Sequence, residues 1–169
     1  MSAKIVKNRV PELLQALKAM SSRRVLVGIP SDSPDNDRDD APITNAAIGL
    51  INEFGAPEQN IPARPHLIPG VQAAWPDAQR RLAKAAEQVL KLRAGAESIV
   101  TSGLEGAGML ARDAVVQEIN DVLAPALAPS TLADRRRRGF KGETPLIATG
   151  AYKQSITYVI DDAEPGSSL

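Results

Sequence analysis

Arg24-Val25-Leu26-Val27-Gly28-Ile29-Pro30 is a β-branched run closed by a proline, and it reads as a buried strand. Its counterpart, Ile156-Thr157-Tyr158-Val159-Ile160, is rich in β-branched and aromatic residues and lies near the opposite end of the chain. Most of the sequence between them has helical periodicity. If the two strands pair, the fold is α+β: a small antiparallel sheet packed with helices, including long central helices, plus extended loops and a disordered C-terminal tail. Two strands alone make a marginal sheet, so either a third is hidden or the sheet is completed between subunits.

Before the first strand, Pro11 to Met20 reads as a short amphipathic helix, with Leu13, Leu14 and Leu17 three and four residues apart. After it, Ser31 to Pro42 (SDSPDNDRDDAP) is acidic and lacks an apolar residue before Ala41, so it is expected to be a flexible loop over 31–42. Thr44 is placed to cap a helix through Ala46, Ala47, Leu50, Ile51 and Phe54, with Gly55 ending it. Ala56 to Pro69 carries four prolines and cannot be helical throughout. Pro76 suits a helix start, and Leu82, Ala86, Val89 and Leu90 continue a stripe to Arg93. Gly95 interrupts it. A second long helix carries Ile99, Gly103, Gly106, Leu110, Ala114 and Ile119 on one broad face. Glycines 103, 106 and 108 each cost about 1 kcal/mol against alanine in a helix, which close approach of another backbone would offset. Pro125 and Pro129 end this region. Ser130 or Thr131 is the expected cap of a short helix holding Asp134 and Arg135 to Arg138, stopped by Gly139. Phe140 to Thr144 reads as a loop, and Thr149-Gly150-Ala151-Tyr152 as a turn into a brief helix. One domain over 1–160 is expected, with 161–169 as the tail.

Composition narrows the function classes. Of 169 residues 43% are apolar, enough for a core, but alanine dominates and aromatic rings are few. Small side chains bury little area each, at about 25 cal/mol per Å², so neighbours in an assembly are expected to contribute stability. Twenty basic residues balance twenty acidic ones, which argues against a dedicated nucleic-acid binder. Cysteine is absent, removing disulfides, thiolate metal sites and thiol nucleophiles. No apolar run approaches the roughly 18 residues that span a bilayer, and a signal-peptide core is lacking, so the cytoplasm is the expected compartment of synthesis and use.

The catalytic inventory is thin. The single histidine, His66, lies in a stiff proline-rich segment, and no serine sits in a Gly-x-Ser-x-Gly elbow. HExxH and phosphate-binding glycine loops are missing. Asp35-x-Asp37-x-Asp39 invites a calcium reading, but Asp40 and Ala46 occupy the positions where that loop needs Gly and Glu. No enzyme activity, catalytic residue, cofactor or metal is expected. The run Arg135-Arg136-Arg137-Arg138 is the most distinctive charge feature. Adjacent residues on one turn point around the circumference, which leaves three readings: a solvated basic turn, a protein interface to carboxylates, or contact of Arg136 and Arg137 with DNA phosphates.

Taken together, ordered segments from Val25 to Ile160 resemble one family. Asn45-Ala46-Ala47-Ile48-Gly49-Leu50-Ile51-Asn52-Glu53-Phe54-Gly55, followed by Ile61-Pro62-Ala63-Arg64-Pro65, resembles the N-E-F-G … I-P-A-R-P-F-L signature of tailed-phage virion morphogenesis proteins. These include the tail-completion, or neck, proteins of long-tailed phages. Leu127 to Thr131 with Arg135 to Gly139, and Pro145-Leu146-Ile147-Ala148-Thr149-Gly150 with Ser155-Ile156-Thr157-Tyr158, resemble that family's later segments. His66 stands where an aromatic is common, and Tyr152 replaces a frequent leucine or methionine.

The resemblance implies a non-enzymatic virion protein at the head–tail junction, forming a homo-oligomeric ring, six- or twelve-fold. Its implied partners are head–tail connector or adaptor proteins, tail terminator or tail tube proteins, and packaged DNA in the lumen, with no membrane. Alternatives are a tail terminator, another minor tail protein, or a small nucleic-acid-associated accessory protein. Glu53, Arg64, Arg135, Arg136, Arg137 and Arg138 are the interface candidates. For Glu53 and Arg64, intramolecular capping or a local ion pair is the competing reading. The oppositely charged loops around Asp35 and Arg137 are candidates to pair between adjacent copies.

Overall fold

The computed structural model describes residues 10–34, 43–91, 95–122 and 124–162. The chain runs α1 (Val10–Ser21), β1 (Arg23–Gly28), α2 (Asn45–Phe54), α3 (Leu67–Lys91), α4 (Ala96–Asp121), α5 (Pro129–Arg137), α6 (Ala151–Ser155) and β2 (Thr157–Asp162). The two strands pair antiparallel, Arg23 opposite Asp162 and Gly28 opposite Thr157, and no third strand joins them among the described residues. This is the α+β arrangement, mostly helical with one small sheet.

The α3–α4 hairpin is the body of the molecule, and its interface explains the alanine-rich composition. α3 buries Gly70, Ala74, Ala78, Ala85 and Val89. α4 turns Gly103, Gly106, Ala107, Ala111 and Val115 inward, with Val100, Leu104 and Ile119. Small side chains on both helices let the axes approach closely, so dispersion contacts replace bulk. The closest point is Gly70, where an added Cβ would lie 2.6 Å from the Val115 Cα. Two apolar clusters flank this seam. One joins Val115, Ile119, Leu146, Tyr152 and Ile156, and the other joins Ala16, Val89, Val100 and Leu104. α1 docks on the second through Leu13, Ala16 and Met20, and the inner face of the ribbon contributes Val25, Val27 and Ile160 to the two clusters.

Several expectations are corrected. α3 begins at Leu67 and runs through Pro76, which is interior and not a start. An interior proline costs about 3 kcal/mol, and the turns upstream of it are held by the capping described below and by burial of Gly70 and Ala74 against α4. Leu90 and Leu110, expected on buried stripes, are exposed, while Leu104 and Val115 are buried. The nearest neighbours of glycines 103, 106 and 108 are side chains and not another backbone. A methyl at Gly103 would lie 2.7 Å from the Ala85 Cβ; at Gly106 it would fall on the Arg81 guanidinium, and at Gly108 on the Tyr158 ring. Their partners are side chains of α3 and β2, all within the chain. α5 starts with Pro129 at its first turn and lacks a side-chain cap from Ser130 or Thr131. β2 reaches Asp162, so Asp161 and Asp162 belong to the strand and not to a tail. Opposite charge extends the pairing there: Arg24 donates to Asp161 at 2.8 Å, and the Arg23 Nε lies 3.6 Å from an Asp162 oxygen. The remaining tail expectation, 163–169, and the acidic loop over 35–42 lie outside the described residues.

Candidate functional site

The motif segments converge where α2, α3 and α6 meet. α2 forms as its sequence dictates: the Thr44 hydroxyl accepts from the Ala47 N–H at 3.2 Å, and Gly55, at φ 76°, closes the helix by donating to the Ile51 carbonyl. A Cβ at Gly55 would lie 2.8 Å from the Ala63 nitrogen, so glycine serves both the positive φ and the close return of the chain. That return is a small turn in which Ala56 and Ile61 exchange backbone hydrogen bonds and Asn60 is left-handed. The Arg64 N–H then donates to the Asn52 carbonyl at 2.6 Å, laying the Ile61–His66 segment beside α2.

Glu53 is buried, and both carboxylate oxygens face the start of α3. One accepts from the His66 and Leu67 N–H groups, each at 2.8 Å, and the other from the Ile68 N–H at 2.9 Å. Pro69 has no N–H, and Gly70 makes the first intrahelical bond, to the His66 carbonyl at 3.1 Å. Every donor of the first turn is therefore satisfied. A carboxylate at a helix N-terminus also meets the positive end of the helix dipole. Of the two readings for Glu53, the capping one describes its contacts.

His66 has no exposed surface and bridges two elements. Its Nδ1 is 2.9 Å from the Arg64 carbonyl oxygen, an obligate acceptor, so Nδ1 carries the proton, with a Glu53 oxygen farther away at 3.4 Å. Nε2 then accepts from the Tyr152 hydroxyl of α6 at 2.5 Å. Burial, and secondarily the negative charge of Glu53, raises the Tyr152 pKa above its ordinary value. Gly49 makes room for this phenol: a Cβ there would lie 2.9 Å from the hydroxyl oxygen. Tyrosine, histidine and glutamate thus stand in sequence, but the tyrosine holds its proton tightly and the carboxylate is occupied by amides. The arrangement braces α2, α3 and α6 against one another.

Beside this brace lies a cavity of about 200 Å³, lined by Ile29, Leu67, Ile156 and Tyr152 and rimmed by Leu50, Phe54 and Ile68. Leu50 and Phe54 are 63% and 62% exposed on the outer face of α2.

Arg64 points the other way. It is 6% exposed, and its Nε and Nη2 donate to the carbonyls of Pro125 (2.9 Å) and Ala126 (3.2 Å). Burial lowers its pKa. The structure separates the four consecutive arginines. Arg135 turns inward, donating from Nη1 to the carbonyls of Gly142, Thr144 and Ile147 and from Nη2 to that of Pro145 at 2.6 Å. Its pKa is lowered by burial first and by the charge of Arg64 second. Arg136 pairs with Glu143 at 2.8 Å, Arg137 with Asp134, and Arg138 lies 3.9 Å from Asp134 and over the Phe140 ring. The expected pairing of Arg137 with the Asp35 loop falls partly outside the described residues; within them, Arg137 has an intrahelical partner.

His66 and Tyr152 are the site members that the sequence marks most faintly. The available signal is that both depart from the resembled pattern, His66 standing where an aromatic is common and Tyr152 where leucine or methionine is frequent; the structure shows that the two bond to each other. Among the described residues no group of three His, Asp or Glu side chains is arranged to hold a metal, and no helix is long and apolar enough to cross a membrane. No protein-family model, curated protein or solved structure matches the chain.

Proposed function

We propose that this chain is a structural protein of a tailed phage, acting at the head–tail junction as a neck or tail-completion protein. It assembles with copies of itself into a ring and binds the connector or tail-end rings, with the virion as its final location and no reaction to catalyse. The observation that carries the assembly part is apolar side chains left exposed on three separate surfaces. Val10, Leu14 and Leu17 recur along α1 on the side away from its packed stripe, and Leu26 stands opposite Val159 on the outer face of the ribbon. Leu50, Phe54 and Ile68 surround the cavity mouth. Scattered exposed apolar residues are ordinary, but contiguous sets mark association surfaces. The two-stranded sheet adds to this, because a ribbon with an exposed apolar face gains most from a neighbouring copy.

The head–tail location rests on the resemblance. Its motif residues Gly49, Glu53, Gly55, Arg64 and Leu146 hold the fold together through caps, close approaches and core contacts, which accords with a family united by shape rather than chemistry. Mass spectrometry of purified particles tests the location, and light scattering on the purified chain tests the ring. A chain absent from particles and unable to associate at any concentration would sink the proposal. Leu26→Lys with Val159→Lys is expected to leave folding intact and to dissolve the oligomer.

A further inference from the structure

Both strands of the ribbon are edge strands, and neither carries the features that blunt an edge. β1 and β2 have six residues each, pair one to one without a bulge, and contain no proline. Their charges sit at one end only, Arg23 and Arg24 on β1 opposite Asp162 and Asp161 on β2. In an antiparallel ladder alternate residues turn N–H and C=O toward the partner strand, and the others turn them outward. Among the described residues, the main chains of residues 25–28 and of Thr157–Asp162 make no hydrogen bond outside the ribbon. Each edge therefore presents a row of main-chain donors and acceptors.

The register fixes which edges match. Bonding within the ribbon is reciprocal, so the residues that turn outward on β1 are opposite those that turn outward on β2. The same register repeated between copies sets Arg24 against Asp161 and Leu26 against Val159, and it satisfies both rows. Two β1 edges set antiparallel would place the arginines against Val27 and Gly28, and set parallel they would place arginine on arginine. Two β2 edges fail in the same two ways with their aspartates. Opposite charges across a strand pair stabilise it, and like charges directly opposite destabilise it. Of these pairings, β1 against β2 alone alternates basic and acidic groups along the row. It also continues the outer strip formed by Leu26 and Val159, which are 37% and 40% exposed.

We propose that the β1 edge of one copy pairs antiparallel with the β2 edge of the next, Leu26 opposite Val159, so that successive ribbons join into one continuous sheet. This rests on the self-assembly reading above and specifies its junction. All copies then carry their Arg24–Asp161 ends on the same side, the head-to-tail relation that closes into a ring when the rotation permits. Within the row each Asp161 lies between two guanidinium groups, its own Arg24 and that of the neighbouring copy.

The test is disulfide cross-linking of the full chain, which has no cysteine of its own. Leu26→Cys and Val159→Cys are made in separate chains, so that any disulfide must join two copies. Both positions are partly exposed, and circular dichroism checks that each chain folds. Oxidising the mixture is expected to give a covalent dimer, and oxidising either chain alone to give none. Residues directly opposite lie about 4.5–5.5 Å apart, within disulfide reach, whereas a diagonal pair lies about 7–8 Å apart. Leu26→Cys mixed with Thr157→Cys, two positions off register, should therefore fail to cross-link. Light scattering on the wild-type chain separates the possible failures. An oligomer that lacks the mixed product, or that cross-links from either chain alone or equally well off register, overturns the junction and leaves the assembly reading standing. A mixed product confined to a species of two copies means exchanged β2 strands and overturns it as well. A chain that is monomeric at every concentration removes both.

Discussion

Glu53→Gln keeps the size of the side chain while removing its charge and one acceptor. In the wild-type chain one oxygen serves two amides and the other serves the Ile68 amide. The single oxygen of glutamine is best used on the His66 and Leu67 amides, which turns the new NH₂ toward the Ile68 N–H, donor against donor. A hydrogen bond to a charged group contributes about 1.5–3 kcal/mol, and a partly buried charge at a helix terminus up to about 2. These overlap, so a loss of about 2–4 kcal/mol is expected. Against a total stability of roughly 5–15 kcal/mol the variant still folds. At roughly 2–4 °C per kcal/mol for a chain of this size, Tm falls by about 5–15 °C. Urea unfolding followed by far-ultraviolet circular dichroism measures the loss, and hydrogen exchange at the amides of residues 66 to 68 locates it. Glu87→Gln, at the exposed Glu87–Lys91 pair, is the control and should leave Tm unchanged. A Glu53→Gln chain within about 0.5 kcal/mol of wild type, the range of ordinary surface changes, would refute the capping argument.

Four further outcomes follow from the same region and from the helical seam. His66→Phe and Tyr152→Leu should each destabilise the chain by stranding a buried partner, about 1–3 kcal/mol apiece, while the double variant loses less than the sum by about 1 kcal/mol or more; additive losses would show that the two do not act as a pair. The raised Tyr152 pKa gives a signed pH effect: the folded state keeps a proton that the unfolded phenol releases near pH 10, so the stabilisation is complete below that pH and declines as pH climbs toward the folded value. Tyr152→Phe should flatten the alkaline limb of a stability–pH curve, and an unchanged slope would count against the burial described. Gly70→Ala should cost at least about 1–3 kcal/mol by overpacking, because the α4 backbone at Val115 cannot step aside. Gly103→Ala should be rescued by adding Ala85→Gly, since the clash there is between one methyl and another; equilibrium unfolding of the four chains reads both effects.

What could be read from the sequence was what is decided locally. Thr44 and Gly55 bracket α2 because a cap acts within three or four residues, and the β-branched runs marked both strands because their neighbours in sequence were enough. The start of α3 was not legible, since its cap comes from Glu53, thirteen residues before the first amide it serves. A proline at position 76 was therefore the stronger local signal and the wrong one. The helical glycines announced a close approach but not its nature, and side chains from α3 and β2 filled the space expected of a backbone. The arginine run offered no hint that Arg135 would turn inward while its three successors stayed exposed. That division depends on the Gly142–Ile147 carbonyls curling over one guanidinium. The alanine content predicted a modest core, and the structure turns it into a close helical seam.

The ribbon has a consequence in time. Arg24 and Asp161 meet across 137 positions of sequence. Translation at about 5–20 residues per second delivers the second roughly 7–27 s after the first. During that interval the α3–α4 hairpin, whose contacts are nearer neighbours in sequence, is free to assemble, but β1 has no complementary strand from its own polypeptide. Until β2 is delivered, the ladder of β1 stays open, and the sheet closes as the last step of folding.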